Sequence, residues 1–336
     1  MRAMLTTLAP ALDDGGFHTA DEIAAQVQFA ERHHWLLRRW LDELTGEGCL
    51  EYDPSRGYRS AAAPSEPGSA DLYRICADLG YSPQFADFLR SSADNLTGLA
   101  QDRVRVQELL FPGGDMLTAE GAYRENIISH YLNLAAREAV AGVAARIAGD
   151  RAPVRILELG AGIGGTTDEV ITGLSGLPVD YHFTDLSTFF LNAARERFAA
   201  HPWMRYGIMD MNADLRGATD RYDIVIGANV LHNALHIGDM LRDLHDLLNP
   251  GGAVVFVEAC KANYPLLTSM KFLMSAAPGA THPGKDDIRQ GARIFLTEDE
   301  WCDQLRAAGF TPMLVLPERD HPMFLLDQRV FAALRD

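Results

Sequence analysis

The stretch VRILELGAGIGG, Val154–Gly165, decides how the rest of the sequence is read. A short β-rich run, VRILEL, breaks abruptly into glycine, and Gly160, Gly162 and Gly165 fit the spacing GxGxxG. Glycines there let a chain leaving a strand turn tightly and bring its backbone close to a ligand with no Cβ in the way. Alone, that match is a weak signal. Outward from it, β-rich runs recur between helical segments: VDYHFTD, RYGIMD, DIVIGANV and AVVFVEA, then FTPMLVLP and RVFAAL near the end. Strands alternating with helices predict an α/β domain over residues 151–336, Rossmann-like, with a mainly parallel seven-stranded sheet. Ligands on such a sheet bind outside the carboxyl ends of the strands, so the residue after each strand carries the functional expectation.

Upstream the pattern is different. Thr19 followed by Glu22 has capping-box spacing and predicts a helix through IAAQVQF. From Glu31 to Glu47, Trp35, Leu36, Trp40, Leu41 and Leu44 recur at helical spacing, and Gly48 can end the turn. CLEYD and GYRSA then read as short strands joined by the turn PSRG. Helix, helix and hairpin predict a winged-helix-like domain over residues 1–65. The arrangement resembles the N-terminal domain of small-molecule methyltransferases, which implies dimerisation, expected here through the face carrying Trp35 and Leu36, and help in closing a pocket. AAAPSEPGSA reads as a linker. Residues 66–150 are expected to form a helical linker and lid, broken at FPGGD and ending in the Ala-rich helix LNLAAREAVAGVAARIA.

Composition narrows the function. A length of 336 residues, 47% of them apolar, fits about two domains at roughly 150 residues each. The formal charge of −16, from 46 acidic and 30 basic residues, repels nucleic acid and anionic membranes. Residues 1–60 hold six Arg against ten Asp plus Glu, 6 − 10 = −4, whereas a DNA reader carries a basic footprint. Cys49, Cys76, Cys260 and Cys302 form no CxxC pair, which fits a reducing compartment. The opening MRAMLTTLAPALDDGG lacks the apolar core of a signal peptide, and no run approaches the 18 apolar residues of a membrane span, so a cytoplasmic protein is expected.

Glu158, two positions before Gly160, sharpens the glycine motif, because ExGxGxG at the end of the first strand resembles the class I methyltransferase motif. Asp185 in FTDLS can accept both ribose hydroxyls of a nucleotide cofactor, as an acid does in an NAD site. Asp210 in IMDMN can accept from an adenine amino group while Met211 packs on the ring. Leu186 and Asn229 complete the expected S-adenosylmethionine (SAM) site. Each acid could instead cap a helix after its strand. Three at successive strand ends favour the cofactor.

ELGAGIGGTT, YHFTDLSTFFLNAA, DIVIGANVLHNA, LLNPGGAVVFVEA and DDIRQGARIFLTEDEWCDQLRAAGF together resemble the C-methyltransferase domains embedded in polyketide synthases and some nonribosomal peptide synthetases. ELLFPGGD, the Tyr123 region and YLNLAAREAV resemble the segment preceding those domains, so the likeness runs over about residues 100–310. It implies that His232 in NVLHNA and Glu258 in VVFVEA form a dyad that removes a proton from carbon beside a carbonyl. Strand order supports the pairing independently: neighbouring fourth and fifth strands would bring their C-terminal side chains together. A neutral imidazole suits a general base, and a carboxylate on its other nitrogen fixes the tautomer.

No synthase modules adjoin the sequence and the front end differs, so a standalone enzyme of natural-product biosynthesis acting on a small molecule is expected, with a carrier-tethered acceptor less favoured. Tyr123, Arg289 and Arg293 are candidate substrate contacts, the arginines for a carboxylate or phosphate. His232 and His236, four apart, would share a helix face and could bind a metal with His282, but no HExxH or similar spacing is present and no metal site is expected. The alternatives are an O- or N-methyltransferase using the same His, an NAD-dependent oxidoreductase, disfavoured by Glu158 and Asp210, and a winged-helix regulator sensing SAM, disfavoured by the acidic N-terminal region.

Overall fold

A computed structural model of the protein describes residues 1–61, 71–149, 152–213, 215, 220–261, 264–275, 287–289 and 293–336. The linker AAAPSEPGSA lies outside them apart from its first residue. The chain divides into two compact units, Met1–Gly121 with Ala262–His282 and Arg289–Arg293, and Ala122–Lys261 with Pro283–Ile288 and Ile294–Asp336.

In the first unit a helix over Arg2–Leu12 is followed by one over Ala20–Gln26. The second opens with a complete capping box: Thr19 Oγ1 accepts the Glu22 N–H at 3.2 Å and Glu22 accepts the Thr19 N–H at 2.8 Å. A 3₁₀ turn at Glu31–His33 leads into the helix His34–Gly46, whose inner face buries Leu36, Leu37, Trp40, Leu41 and Leu44. Strands β1 (Leu50–Asp53) and β2 (Gly57–Ser60) pair antiparallel. Their turn is fixed by Asp53, which accepts the backbone N–H groups of Ser55 and Arg56. The helix–helix–hairpin order expected of residues 19–60 is therefore present. Of the face expected to dimerise, Leu36 is fully buried, and Trp35 is half-buried with its indole N–H donating to Ser275 at 2.8 Å. Helical periodicity marks a face that needs covering, and here the covering comes from within the chain.

The second unit holds a seven-stranded sheet: β3 (Val154–Leu159), β4 (Val179–Thr184), β5 (Met204–Gly207), β6 (Tyr222–Ala228), β7 (Leu248–Ala259), β8 (Phe310–Leu316) and β9 (Gln328–Arg335). The order is β5-β4-β3-β6-β7-β9-β8, parallel except that β9 runs antiparallel to β7 and β8. The central strands β3, β6 and β7 are buried along most of their length, as expected where helices cover both faces. One covering helix, Ile237–Leu247, buries Ile237, Met240, Leu241, Leu244 and Leu247 against Leu157, Val225, Val254 and Phe256, with Trp301 and Phe331 in the same cluster. Each such aliphatic side chain contributes about 1.5–3 kcal/mol by leaving water.

The Ala-rich helix extends over Ile127–Ala148 and belongs to this unit. Its small residues let other elements come close: a Cβ on Gly173 would meet Ala141 Cβ at 3.2 Å. Strand β5 ends at Gly207, three residues before Asp210. It is an edge strand whose only neighbour, β4, stops at Thr184, so Ile208–Asp210 have no ladder to join. The chain order reverses between β3 and β6, and the carboxyl ends of those two strands frame the crevice where the site lies.

Candidate active site

The loop after β3 is built from positive-φ glycines, Gly160 (+54°), Gly162 (+57°) and Gly164 (+76°). A side chain on Gly160 would overlap Val230, one on Gly164 would meet the Phe198 ring at 2.9 Å, and one on Gly165 the Tyr123 carbonyl at 3.1 Å. At Gly162 a Cβ would meet only the Gly160 carbonyl, at 3.9 Å, so the glycine is not forced there by crowding. The loop is fastened at several points: Ala161 N–H donates to the Thr184 carbonyl at 2.9 Å, and Thr184 Oγ1 donates to the Glu158 carbonyl at 2.6 Å.

Glu158 lies beneath this loop. Its buried carboxylate accepts from Tyr181 Oη at 2.6 Å and Thr167 Oγ1 at 2.7 Å, and burial pushes its pKa up to about 7 against the opposing pull of those hydrogen bonds. Asp185 stands at the end of β4 with one oxygen accepting the Gly162 N–H at 2.9 Å and the other the Ser187 N–H at 2.8 Å. A carboxylate has about four lone-pair sites, so Asp185 retains acceptor capacity for two hydroxyls. Beside it Leu186 and, at the end of β5, Ile208 are each 63% exposed, and Phe189 is 46% exposed. Large apolar side chains standing out together mark a surface suited to covering by a flat ring. Asp210 is exposed and accepts the Asn212 N–H at 2.9 Å, while Met211 packs partly against the core of the sheet.

Across the crevice, Asn229 takes a left-handed conformation (φ +52°) and its N–H donates to the Val257 carbonyl at 2.7 Å. This turns the chain into a 3₁₀ turn, Leu231–Asn233, that carries His232. His232 Nδ1 lies 2.7 Å from Glu258 Oε2, and the His232 backbone N–H donates to Glu258 Oε1 at 3.2 Å. His232 is 3% exposed and Glu258 0%, and the edge-on Phe295 ring, 5.0 Å away between centroids, packs against the imidazole. The two residues expected to converge from β6 and β7 do so.

His236 does not share a helix face with His232. It is exposed and caps Ile237–Leu247 in an extended conformation, because the 3₁₀ turn ends at Asn233. His282 lies outside the described residues, among which no three His, Cys, Asp or Glu gather as metal ligands. Tyr123 sits in a π-turn, Gly121–Glu125, beside the helix that follows the glycine loop. Its carbonyl accepts from Asn133 Nδ2 at 3.3 Å, and burial pushes its phenol up to about 12. Arg289 is buried and Arg293 half-buried, and both belong to the first unit, whereas the dyad and glycine loop belong to the second. Sequence reading missed Thr167, Tyr181 and Asn212. The threonine stands in the quoted GGTT, but nothing local signals that Tyr181 or Asn212 meets a partner more than 20 residues away.

Residues 157–254 match the family model of a methyltransferase domain. The chain is 33% identical over 328 residues to pyochelin synthetase PchF of Pseudomonas aeruginosa, a match covering 92% of this chain and 18% of the relative. It is 38% identical over 309 residues to polyketide synthase ThaG of Burkholderia thailandensis, covering 86% of this chain and 5% of that one. The chain carries a methyltransferase domain. It is related to the methyltransferase-bearing synthases of secondary metabolism and spans less than a fifth of the length of these curated relatives. The fold of the methyltransferase is that of the CurJ carbon methyltransferase, with a TM-score of 0.81 at 23% identity over 99% of this chain and 90% of the other.

The second unit fits SAM on its own geometry. Gly162 is uncrowded at its Cβ position, Asp185 is held with acceptor sites to spare, and Leu186, Ile208 and Asp210 are exposed.

Proposed function

We propose that this methyltransferase methylates carbon made acidic by a neighbouring carbonyl, with His232 as general base and Glu258 as the group that orients and charges it. The observation carrying this reading is the buried pair, His232 Nδ1 to Glu258 Oε2 at 2.7 Å, with the same carboxylate accepting the His232 backbone N–H. A carboxylate only accepts, so Nδ1 carries the proton and the lone pair resides on Nε2. Nε2 takes the acceptor's α-proton, and the imidazolium that forms is stabilised by the buried carboxylate. General-base catalysis of this kind contributes typically 10²–10⁴-fold.

SAM supplies the electrophilic methyl group. Gly160 keeps the loop close to Val230, Gly162 would let the cofactor approach the backbone, Asp185 would accept its ribose hydroxyls, and Asp210 would accept its adenine amino group. Leu186 and Met211, with Ile208, would wall the ring, and Asn229 would line the crevice opposite. Glu158 holds the loop from below. Tyr123 stands by the glycine-loop helix as a candidate acceptor contact, and Arg289 and Arg293 enter no step of this reading.

The test is product analysis with labelled SAM on 2-oxo acids, β-keto thioesters and phenols, the methylated atom being located by NMR. Methyl on carbon, with α-proton exchange into deuterated water before SAM is added, supports the reading. Methyl on oxygen or nitrogen without such exchange replaces it with an O- or N-methyltransferase using the same base.

A further inference from the structure

The 3₁₀ turn bearing His232 is held at three places. Asn229 N–H to Val257 fixes its start, and Glu258 fixes its middle. Its end is held by a residue from the opposite side of the crevice: Asn212 Oδ1 accepts the Leu235 N–H at 2.7 Å, and Asn212 Nδ2 donates to the Asn233 carbonyl at 3.3 Å. Because Leu235 presents an N–H and Asn233 a C=O, only one orientation of the amide satisfies both. The Asn212 backbone N–H in turn donates to Asp210 Oδ1 at 2.9 Å, and Ala213 N–H closes the same turn on the Asp210 carbonyl at 3.1 Å. The first two restraints come from β7, and Asn212 holds the far end of the His232 turn from the loop after β5.

We propose that Asn212 is a positioning residue that ties the adenine-side turn to the turn carrying the catalytic histidine, so that cofactor engagement at Asp210 stiffens the base. The proposal rests on the reading of His232 as base. It requires Asn212 to touch neither cofactor nor acceptor: its side chain spends both ends on the backbone of residues 233–235, and its effect reaches the reaction only through His232. Coupling of this kind is reciprocal, so a bound cofactor protects the Leu235 amide and a severed clamp removes that protection.

The experiment measures amide hydrogen exchange at Leu235 in the full chain, with and without S-adenosylhomocysteine, for the wild type, Asn212→Ala and Asn212→Asp. Losing one net hydrogen bond in Asn212→Ala accelerates exchange roughly 2- to 10-fold without ligand. The ligand-induced slowing seen in the wild type disappears. Asn212→Asp, which still accepts from Leu235 but loses the bond to the Asn233 carbonyl, exchanges faster than the wild type and more slowly than Asn212→Ala. Displacement of the base lowers turnover by about 10- to 100-fold in Asn212→Ala, while calorimetric affinity for S-adenosylhomocysteine changes by less than about threefold. Equal ligand protection of Leu235 in wild type and Asn212→Ala, or Asn212→Asp exchanging as fast as Asn212→Ala, overturns the clamp. Full turnover in His232→Ala would remove the base reading instead, and would leave the Leu235 exchange result standing.

Discussion

Gly160→Ala tests how tightly the cofactor loop and the histidine turn are fitted together. At φ +54° an L-residue is strained, by about 1–2 kcal/mol. The added methyl would also overlap Val230 Cγ2 and lie 3.1 Å from Val230 Cβ, well inside the roughly 3.5–4.0 Å of a carbon–carbon contact. Val230 is β-branched and two residues before His232, so it has little rotamer freedom with which to yield. Overpacking of this sort costs about 1–3 kcal/mol, which brings the total to about 2–5 kcal/mol. Val230→Ala removes the obstructing methyls, so Gly160→Ala/Val230→Ala should recover the overpacking part and keep the backbone strain. Urea unfolding of the four proteins measures the cycle, with an expected coupling of at least about 1 kcal/mol. Additivity within about 0.5 kcal/mol would refute a direct collision between the two loops.

Three further outcomes are expected. His232→Ala should lower turnover by about two to four orders of magnitude with SAM affinity nearly unchanged, and the double change with Glu258→Gln should cost little more, as steady-state kinetics and calorimetry will show. Asp185→Ala should weaken S-adenosylhomocysteine binding by at least about tenfold in calorimetry, since it removes the ribose acceptor and releases the Gly162 N–H. Glu158, raised from the ordinary 4.5 to about 7, holds its proton in the folded state after the unfolded chain has released it. Its contribution to stability is fully present below about pH 4.5 and is lost as pH rises through about 7, by roughly 3 kcal/mol. Chemical denaturation across that window should therefore be flatter with pH in Glu158→Gln than in the wild type.

Much of the second unit was legible because its signals are local. Seven β-rich runs gave seven strands, and the glycine spacing marked a real tight turn with three left-handed residues. His232 and Glu258 could be paired in advance because parallel neighbours deliver their C-terminal residues to one edge. What failed depended on partners distant in sequence. β5 stops early because β4 does, Leu36 is buried within the chain, and His236 leaves the face of His232 because the intervening turn is 3₁₀. Glu158 was expected among the cofactor contacts, yet its carboxylate is engaged by Tyr181, 23 positions away on the neighbouring strand. An amphipathic pattern states that a face will be buried but does not name what buries it.

The first unit is not one continuous piece of chain, and that limits how the protein can be cut. After β7 delivers Glu258, the polypeptide contributes Leu267, Met270 and Phe272 to the N-terminal helices, where Trp40 Nε1 donates to the Leu267 carbonyl at 3.0 Å and His33 stands edge-on to Phe272. Deleting residues 1–61 would strip those partners from a segment that begins a few residues beyond Glu258, exposing apolar side chains to water. A sheet-only fragment is therefore a poor candidate for excision. The chain leaves and re-enters each unit, so no single cut separates the front end from the sheet.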